Sequence, residues 1–154
     1  MKVRRARRSD VPAVAELIVR TKRLNNEFDP LFALVPDAKA RARKYATSSL
    51  TSPQDLLLVA TDGEKVVGVI RAELRERIFY KPHREGLITD FYILPEFRRK
   101  ALGAEMLQAA SRALKKMGAE IIVGEVPSRN EIAMKFYAKR GFRPLVQLFG
   151  TSPQ

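Results

Sequence analysis

Cysteine is absent from the chain, which excludes disulfides, thiol nucleophiles and cysteine-ligated metals. Histidine occurs once, at His83. A site with several histidine ligands is therefore excluded, and a Ser-His-Asp triad would have to run through that one residue. No apolar run approaches the roughly 18 residues that span a bilayer. The basic start of the chain is not followed by the roughly 7–15-residue apolar region of a secretory signal, so an intracellular, cytoplasmic protein with no membrane partner is expected. The P-loop pattern Gly-x-x-x-x-Gly-Lys-Ser/Thr and the dinucleotide fingerprint Gly-x-Gly-x-x-Gly are both missing. So are internal repeats, low-complexity segments, a helix-turn-helix signature and an RNA motif with interleaved aromatics.

What is present is an ordinary globular composition. The 154 residues are 45% apolar and 30% charged, enough to build one core. Residues 1–150 are expected to form a single domain and 151–154 a tail. Positive charge dominates, with a net charge of +12 and a pI near 10.4. A field of that sign favours anionic partners: nucleic acid, an acidic surface or a polyphosphate ligand.

The hydrophobic pattern predicts the order β-α-α-β-β-β-α-β-α-β. A short strand at 3–6 leads to Ser9-Asp10-Val11-Pro12, a helix start. Val14, Leu17 and Ile18 carry that helix to about Arg23, before a structured loop at 25–36. A second helix at 37–49 ends at Ser52-Pro53. Strands at 56–60 and 66–74 flank the turn signal Asp62-Gly63. Another strand, 87–94, stops at Pro95. Leu102, Met106, Leu107, Ala110 and Leu114 mark one face of a long helix closed by Gly118. A strand at 120–126, a helix at 130–139 with Gly141 as its C-cap, and a last strand at 143–149 complete the reading. A hairpin followed by a βαβ unit implies a mixed α/β sheet, partly antiparallel.

The chemistry concentrates between Asp90 and Ala104. A strand ends at Pro95, a basic loop follows with Arg98, Arg99 and Lys100, and the small residues Ala101, Gly103 and Ala104 open the long helix. The first turn of a helix has unpaired N–H groups and the positive end of the dipole. Small side chains let an anion approach that backbone, so the segment suits a pyrophosphate.

Arg98-x-x-Ala101-x-Gly103 after the strand and Pro95 resembles the Arg/Gln-x-x-Gly-x-Gly/Ala motif of the GNAT superfamily of N-acetyltransferases. Downstream, Asn130-x-x-Ala133-x-x-x-Tyr137-x-x-x-Gly141-Phe142 resembles the helix that follows in the same family. The element order agrees over nearly the whole chain. The resemblance implies a single-domain, twisted mixed sheet flanked by helices, splayed between two parallel central strands, with acetyl-CoA in the gap as acyl donor and no metal.

Carried over by position, the resemblance implies that the backbone of Phe91, Tyr92 and Ile93 pairs with the pantetheine arm. Arg98, Arg99, Lys100, Ala101, Leu102, Gly103 and Ala104 hold the pyrophosphate. Asn130 contacts the donor near the pantetheine, and Tyr137 lies by the thioester sulfur as general acid. Two departures stand out: Ala101 where glycine is usual, and Leu87 where many relatives place a glutamate base. Glu85 and Asp90 are the nearest substitutes, with Glu73 and Glu125 on neighbouring strands.

Glu27, Phe28 and Asp29 border the expected acceptor side. The reaction implied is direct attack by a primary amine (a protein N-terminus, a lysine or a small amine) on the acetyl thioester. The departures and the basic surface leave an alternative: a catalytically degenerate acyl-CoA-binding or RNA- or ribosome-associated module of the same fold. Homodimerisation is implied only by analogy of fold.

Overall fold

The computed structural model describes residues 1–98 and 101–154; Arg99 and Lys100, two of the expected pyrophosphate ligands, lie outside the described residues. Five strands form one sheet in sequence order: β1 (Lys2–Arg5), β2 (Asp55–Asp62), β3 (Lys65–Glu76), β4 (Arg84–Ile93) and β5 (Ile121–Gly124). The first four are mutually antiparallel, and β5 runs parallel to β4. The mixed sheet expected from the hairpin and βαβ pattern is therefore what forms. The helices are α1 (Val11–Phe28), α2 (Ala38–Thr51), α3 (Leu102–Lys116) and α4 (Glu131–Ala138).

Helices α1 and α2 pack on one face of the sheet and α3 on the other. The apolar stripe read from the sequence is the buried face of α3: Leu102, Met106, Leu107, Ala110 and Leu114 all reach the core. Each large side chain so buried contributes about 1.5–3 kcal/mol. The same core cluster takes in Leu56, Val59, Val67, Val69, Ile70 and Ile88 of the sheet and Val14 and Ile18 of α1. The hairpin turn forms at Gly63, whose φ of +60° suits a residue without Cβ.

Asp10 plays a different part from the one its position suggests. Its carboxylate does not cap α1. It accepts two hydrogen bonds from Arg4, at 2.7 and 3.1 Å, and one from the Arg7 N–H at 2.7 Å. Arg4 holds it below the usual carboxylate range, and the pair ties β1 to the start of α1.

Two expectations are corrected. Helix α1 runs to Phe28, five residues beyond Arg23, because Asn25 and Asn26 are only mildly unfavourable in a helix and no proline intervenes before Pro30. Glu27 and Phe28 are thus helical and not in a loop. The strand expected at 143–149 does not form: among the described residues the chain there pairs with no strand, and its apolar side chains are exposed. Pro144, which cannot donate to a ladder, sits at its start.

Candidate active site

A bulge in β4 organises the site. Arg71 of β3 pairs with Asp90, but the next residue, Ala72, pairs with Ile88, so Thr89 is an extra residue on β4. A bulge bends its strand and increases local twist. The parallel pairing of β4 with β5 ends at that point, with Ile88 opposite Gly124 and a last bond from the Glu125 N–H to the Ile88 carbonyl. Beyond it β4 continues through Ile93 with no strand on that side among the described residues. The sheet opens there, and the backbone of Phe91, Tyr92 and Ile93 lines the open edge.

The bulge also turns two successive side chains toward α1 and α2. Asp90 is almost wholly buried, and Oδ1 sits 2.6 Å from the Lys22 ammonium of α1. Oδ2 accepts hydrogen bonds from the Tyr45 hydroxyl of α2 at 2.7 Å and from Thr89 at 2.9 Å. Arg71 extends the network, donating to Thr89, to Ser49 and to Asp55, with its guanidinium 4.1 Å from the centre of the Tyr45 ring. Burial first, and then the Asp90 charge, push the Tyr45 phenol well above its ordinary value. Tyr45 therefore stays a neutral donor to Asp90. A buried carboxylate needs such partners, because an uncompensated charge there is strongly disfavoured.

Tyr137 occupies the mouth of the split. It comes from α4, whose first turn is capped by Asn130: the Asn130 side-chain oxygen accepts the Ala133 N–H at 3.1 Å. Its ring lies against Gly124, where an added Cβ would sit 2.9 Å from both the Tyr137 hydroxyl and the ring carbon bearing it. Only glycine permits that approach. Phe136 and Phe142 hold the ring edge-on, at 5.6 and 5.0 Å between centres, and Phe136 rests in turn on Phe91. Burial pushes the Tyr137 phenol up to about 12, so it keeps its proton throughout the neutral range and can donate it.

The other flank is the start of α3. Ala101 adopts the left-handed conformation, φ 58° and ψ 11°, which is where the family motif has glycine. The first bond of the helix runs from the Glu105 N–H to the Ala101 carbonyl. The N–H groups of Leu102, Gly103 and Ala104 are thereby left without an intrahelical acceptor. Gly103 has no Cβ to strike Phe136, which would lie 3.0 Å away, so α4 closes directly over the turn. Arg98 donates through Nε to the Ile93 carbonyl at 2.8 Å, with its guanidinium 5.1 Å from the centre of the Tyr92 ring. That bond ties Arg98 back to the open edge of β4.

The remaining expected residues divide. Glu85 sits three residues before Ile88, within the zipped part of β4, roughly 10 Å along the strand from the split. Its carboxylate faces Arg77 at 3.9 Å, so it is not brought to Tyr137. Leu87 is buried. Glu27, Phe28 and Asp29 close α1. The Phe28 carbonyl accepts a hydrogen bond from Arg129, in the β5–α4 connection, which brings that corner beside the helix carrying Tyr137. Asp29 caps the turn of 3-10 helix Pro30–Phe32 through the Leu31 N–H, and Glu27 points to solvent.

Lys22, Tyr45, Thr89 and Gly124 carry no motif and were not legible as site residues. The one signal was Gly124 itself, since a glycine inside a strand often marks a close backbone approach. Among the described residues no cluster of three or more carboxylate or histidine side chains gathers as metal ligands, and no helix is long and apolar enough to cross a membrane.

The open edge of β4, the first turn of α3 and the buried phenol of Tyr137 make up the candidate site. Residues 19–142 match the model of the acetyltransferase (GNAT) family; the chain belongs to that family. It is 30% identical over 84 residues to N-alpha-acetyltransferase 30 of Schizosaccharomyces pombe, a match spanning 54% of this chain and 55% of that relative. The chain thus covers about half of the yeast protein. An uncharacterized N-acetyltransferase of Archaeoglobus fulgidus is 22% identical over 143 residues, 93% of each chain. In fold, the chain superposes on a predicted acetyltransferase of Clostridium acetobutylicum solved with acetyl-CoA. That TM-score is 0.79 at 16% identity, over 98% of this chain and 95% of the other.

Proposed function

We propose that this chain transfers an acetyl group from acetyl-CoA to a primary amine, with a protein N-terminal α-amino group as the favoured acceptor class. The observation that carries the proposal is the split at Thr89 with Tyr137 across it. The residues present fit acetyl-CoA. The open backbone of Phe91–Ile93 offers strand-like hydrogen bonds to the amides of the pantetheine arm. The free N–H groups at Leu102, Gly103 and Ala104 suit the pyrophosphate.

In this reading the amine nitrogen attacks the thioester carbonyl, the carbon–sulfur bond breaks, and the departing thiolate takes the Tyr137 phenolic proton. The attacking nitrogen releases its extra proton to solvent, and the phenolate takes one back from it. Holding the two reactants side by side supplies much of the acceleration, up to roughly 7–11 kcal/mol in favourable cases.

The acceptor class follows from where the carboxylates are. Asp90 is committed to Lys22, Tyr45 and Thr89, and Glu85 lies in the zipped part of the sheet. We assign Asp90 to holding the bulge and not to proton removal. With Asp90 committed and Glu85 remote, an amine already partly neutral at pH 7 is favoured. An α-amino group, with a pKa of about 7.7–8.0, meets that condition far better than a lysine at about 10.4. The yeast relative is named as an N-alpha-acetyltransferase, which agrees with this choice.

The test is acetyl transfer from acetyl-CoA to peptides with a free N-terminus, to peptides with a blocked N-terminus and an internal lysine, and to small amines. Transfer to free N-termini at least tenfold faster than to lysine at pH 7 is expected. Equal rates would remove the α-amino assignment, and no transfer to any amine would remove the enzymatic reading.

A further inference from the structure

The tip of the β3–β4 hairpin is apolar where a solvated turn is polar. The Tyr80 N–H donates to the Arg77 carbonyl at 3.2 Å, and the Arg77 N–H to the His83 carbonyl at 2.6 Å. The first bond closes a turn with Ile78 and Phe79 at its apex, where glycine, proline, asparagine, aspartate or serine is usual. Ile78, Phe79 and Tyr80 are 78, 87 and 65% exposed. Single exposed apolar side chains are ordinary; a run of them at one apex marks a contact surface. The tip is also held in shape. Arg77 donates from its side chain to the Pro82 carbonyl at 2.9 Å, and its guanidinium lies 5.3 Å from the centre of the Tyr80 ring.

The hairpin projects from the sheet. Strand β2 begins at Asp55, opposite Glu73, and the last bond on that side runs from the Leu74 N–H to the Gln54 carbonyl. Strands β3 and β4 stay paired as far as Glu76 and Arg84, so the turn stands roughly 10 Å beyond β2. The charge around it is positive. Arg75 and Arg77 lean on Glu73 and Glu85. The side chains of Lys81 and Arg84 are exposed and have no carboxylate partner among the described residues. Lys115 and Lys116, exposed at the end of α3, join them, because Gly118 just after that helix lies against the Arg84 guanidinium.

We propose that this hairpin tip docks the protein on an anionic lipid surface, with Ile78, Phe79 and Tyr80 entering the headgroup layer and the surrounding cations resting on lipid phosphates. A single strand of nucleic acid would need free aromatic faces to stack on. One face of Tyr80 is taken by Arg77, and Ile78 has no ring. A lipid interface takes aliphatic and aromatic side chains alike, with tyrosine at headgroup level, and anionic lipid answers a chain of net charge +12. Such a contact needs no spanning helix, and none exists among the described residues. It departs from the expectation of no membrane partner, which rested on spanning runs and a leader. The tip lies at the Lys116 end of α3, roughly 20 Å from the first turn at Leu102, so docking leaves the split open. The inference does not depend on the acetyl-transfer reading.

The chain has no tryptophan, so Phe79→Trp supplies a single fluorescent reporter at the apex. Vesicles of phosphatidylcholine with about a third phosphatidylglycerol should carry the full chain down on sedimentation. The reporter's emission should then move to shorter wavelength and be quenched by spin-labelled lipid. Phosphatidylcholine alone should give neither result. Ile78→Ser combined with Phe79→Ser should lower vesicle affinity at least tenfold. A cation near an anionic surface contributes roughly fivefold in affinity, so Lys81→Glu should cost at least that much. All three side chains are exposed, and the melting temperature should not change. Absence of binding to anionic vesicles would overturn the proposal. So would equal binding by the Ile78→Ser, Phe79→Ser protein, which would leave charge alone as the cause. A reporter that stays in water on bound protein, or quenching at Phe149→Trp in place of Phe79→Trp, would move the contact elsewhere and refute it too. Binding of single-stranded RNA that Phe79→Ser abolishes, without vesicle binding, would assign the tip to nucleic acid instead.

Discussion

Gly124→Ala offers the sharpest probe of Tyr137, because it changes the phenol's place without touching the phenol. The new Cβ would lie 2.9 Å from the Tyr137 hydroxyl and from the ring carbon bearing it, and 3.1 Å from the next ring carbon. Ordinary carbon contacts lie near 3.5–4.0 Å, so the ring must withdraw by on the order of 0.5–1 Å. A misplacement of about 1 Å in a reacting group can cost roughly 100-fold, and a general acid contributes about 100- to 10,000-fold. We therefore expect Gly124→Ala to lower kcat about 100-fold, and Tyr137→Phe to lower it at least as much. Acetyl-CoA affinity should change by no more than a few-fold in either. The assay is release of the CoA thiol with a thiol reagent, which meets no protein background because the chain lacks cysteine. The double variant decides the matter. If Gly124 acts through Tyr137, adding Gly124→Ala to Tyr137→Phe costs little more than Tyr137→Phe alone. Fully additive losses would refute the coupling, and an unchanged kcat in Tyr137→Phe would refute the acid role.

Three further outcomes are expected. Ala101→Gly relieves the left-handed conformation at φ 58°, and after the added freedom of the unfolded chain it should stabilise the protein by about 0.5–1 kcal/mol, read as a higher urea midpoint with an unchanged slope. Lys22→Met strips Asp90 of its ammonium partner at 2.6 Å; allowing for the half-exposed lysine, the loss should be about 1–3 kcal/mol, and Lys22→Met with Asp90→Asn should recover part of it. A double-variant loss equal to the sum of the two single losses would show that the pair is not coupled. Burial raises the Tyr137 phenol to about 12 in the folded state, against about 10 unfolded. The unfolded chain then binds fewer protons above pH 10, so Tyr137 takes stability away as pH rises from about 10 to 12. Tyr45, shifted in the same direction, adds to the fall, and Tyr137→Phe should make the alkaline limb of the melting profile shallower.

The parts legible in the sequence were those written in local chemistry. The α3 stripe, the Asp62-Gly63 turn, Pro95 and the small residues after Arg98 each have a short-range cause, and the elements they imply are present. Helix α1 was read too short because asparagine weakens a helix without ending it. The site was only half visible. Tyr137 and Asn130 sit in a spaced motif, whereas the Asp90 network joins Lys22, Tyr45, Arg71 and Thr89 from four elements. No spacing rule links side chains across such separations. Thr89 was invisible for another reason: a bulge is a property of register between two strands, and alternation read along one strand alone places Asp90 with Ile88. The strand expected at 143–149 has the right composition, but a strand needs an edge as well as a sequence.

The central claim is that the opening between β4 and β5 together with the first turn of α3 holds acetyl-CoA. Calorimetric titration of acetyl-CoA into the protein and into Ala104→Glu tests it most directly. A carboxylate in the first turn favours the helix dipole by about 0.3–1 kcal/mol, so this variant should fold at least as well, while its charge repels the pyrophosphate. The account predicts micromolar binding by the parent chain and a loss of at least tenfold in Ala104→Glu at an unchanged or higher melting temperature. No binding up to millimolar acetyl-CoA, or equal affinity in the two proteins, would contradict it.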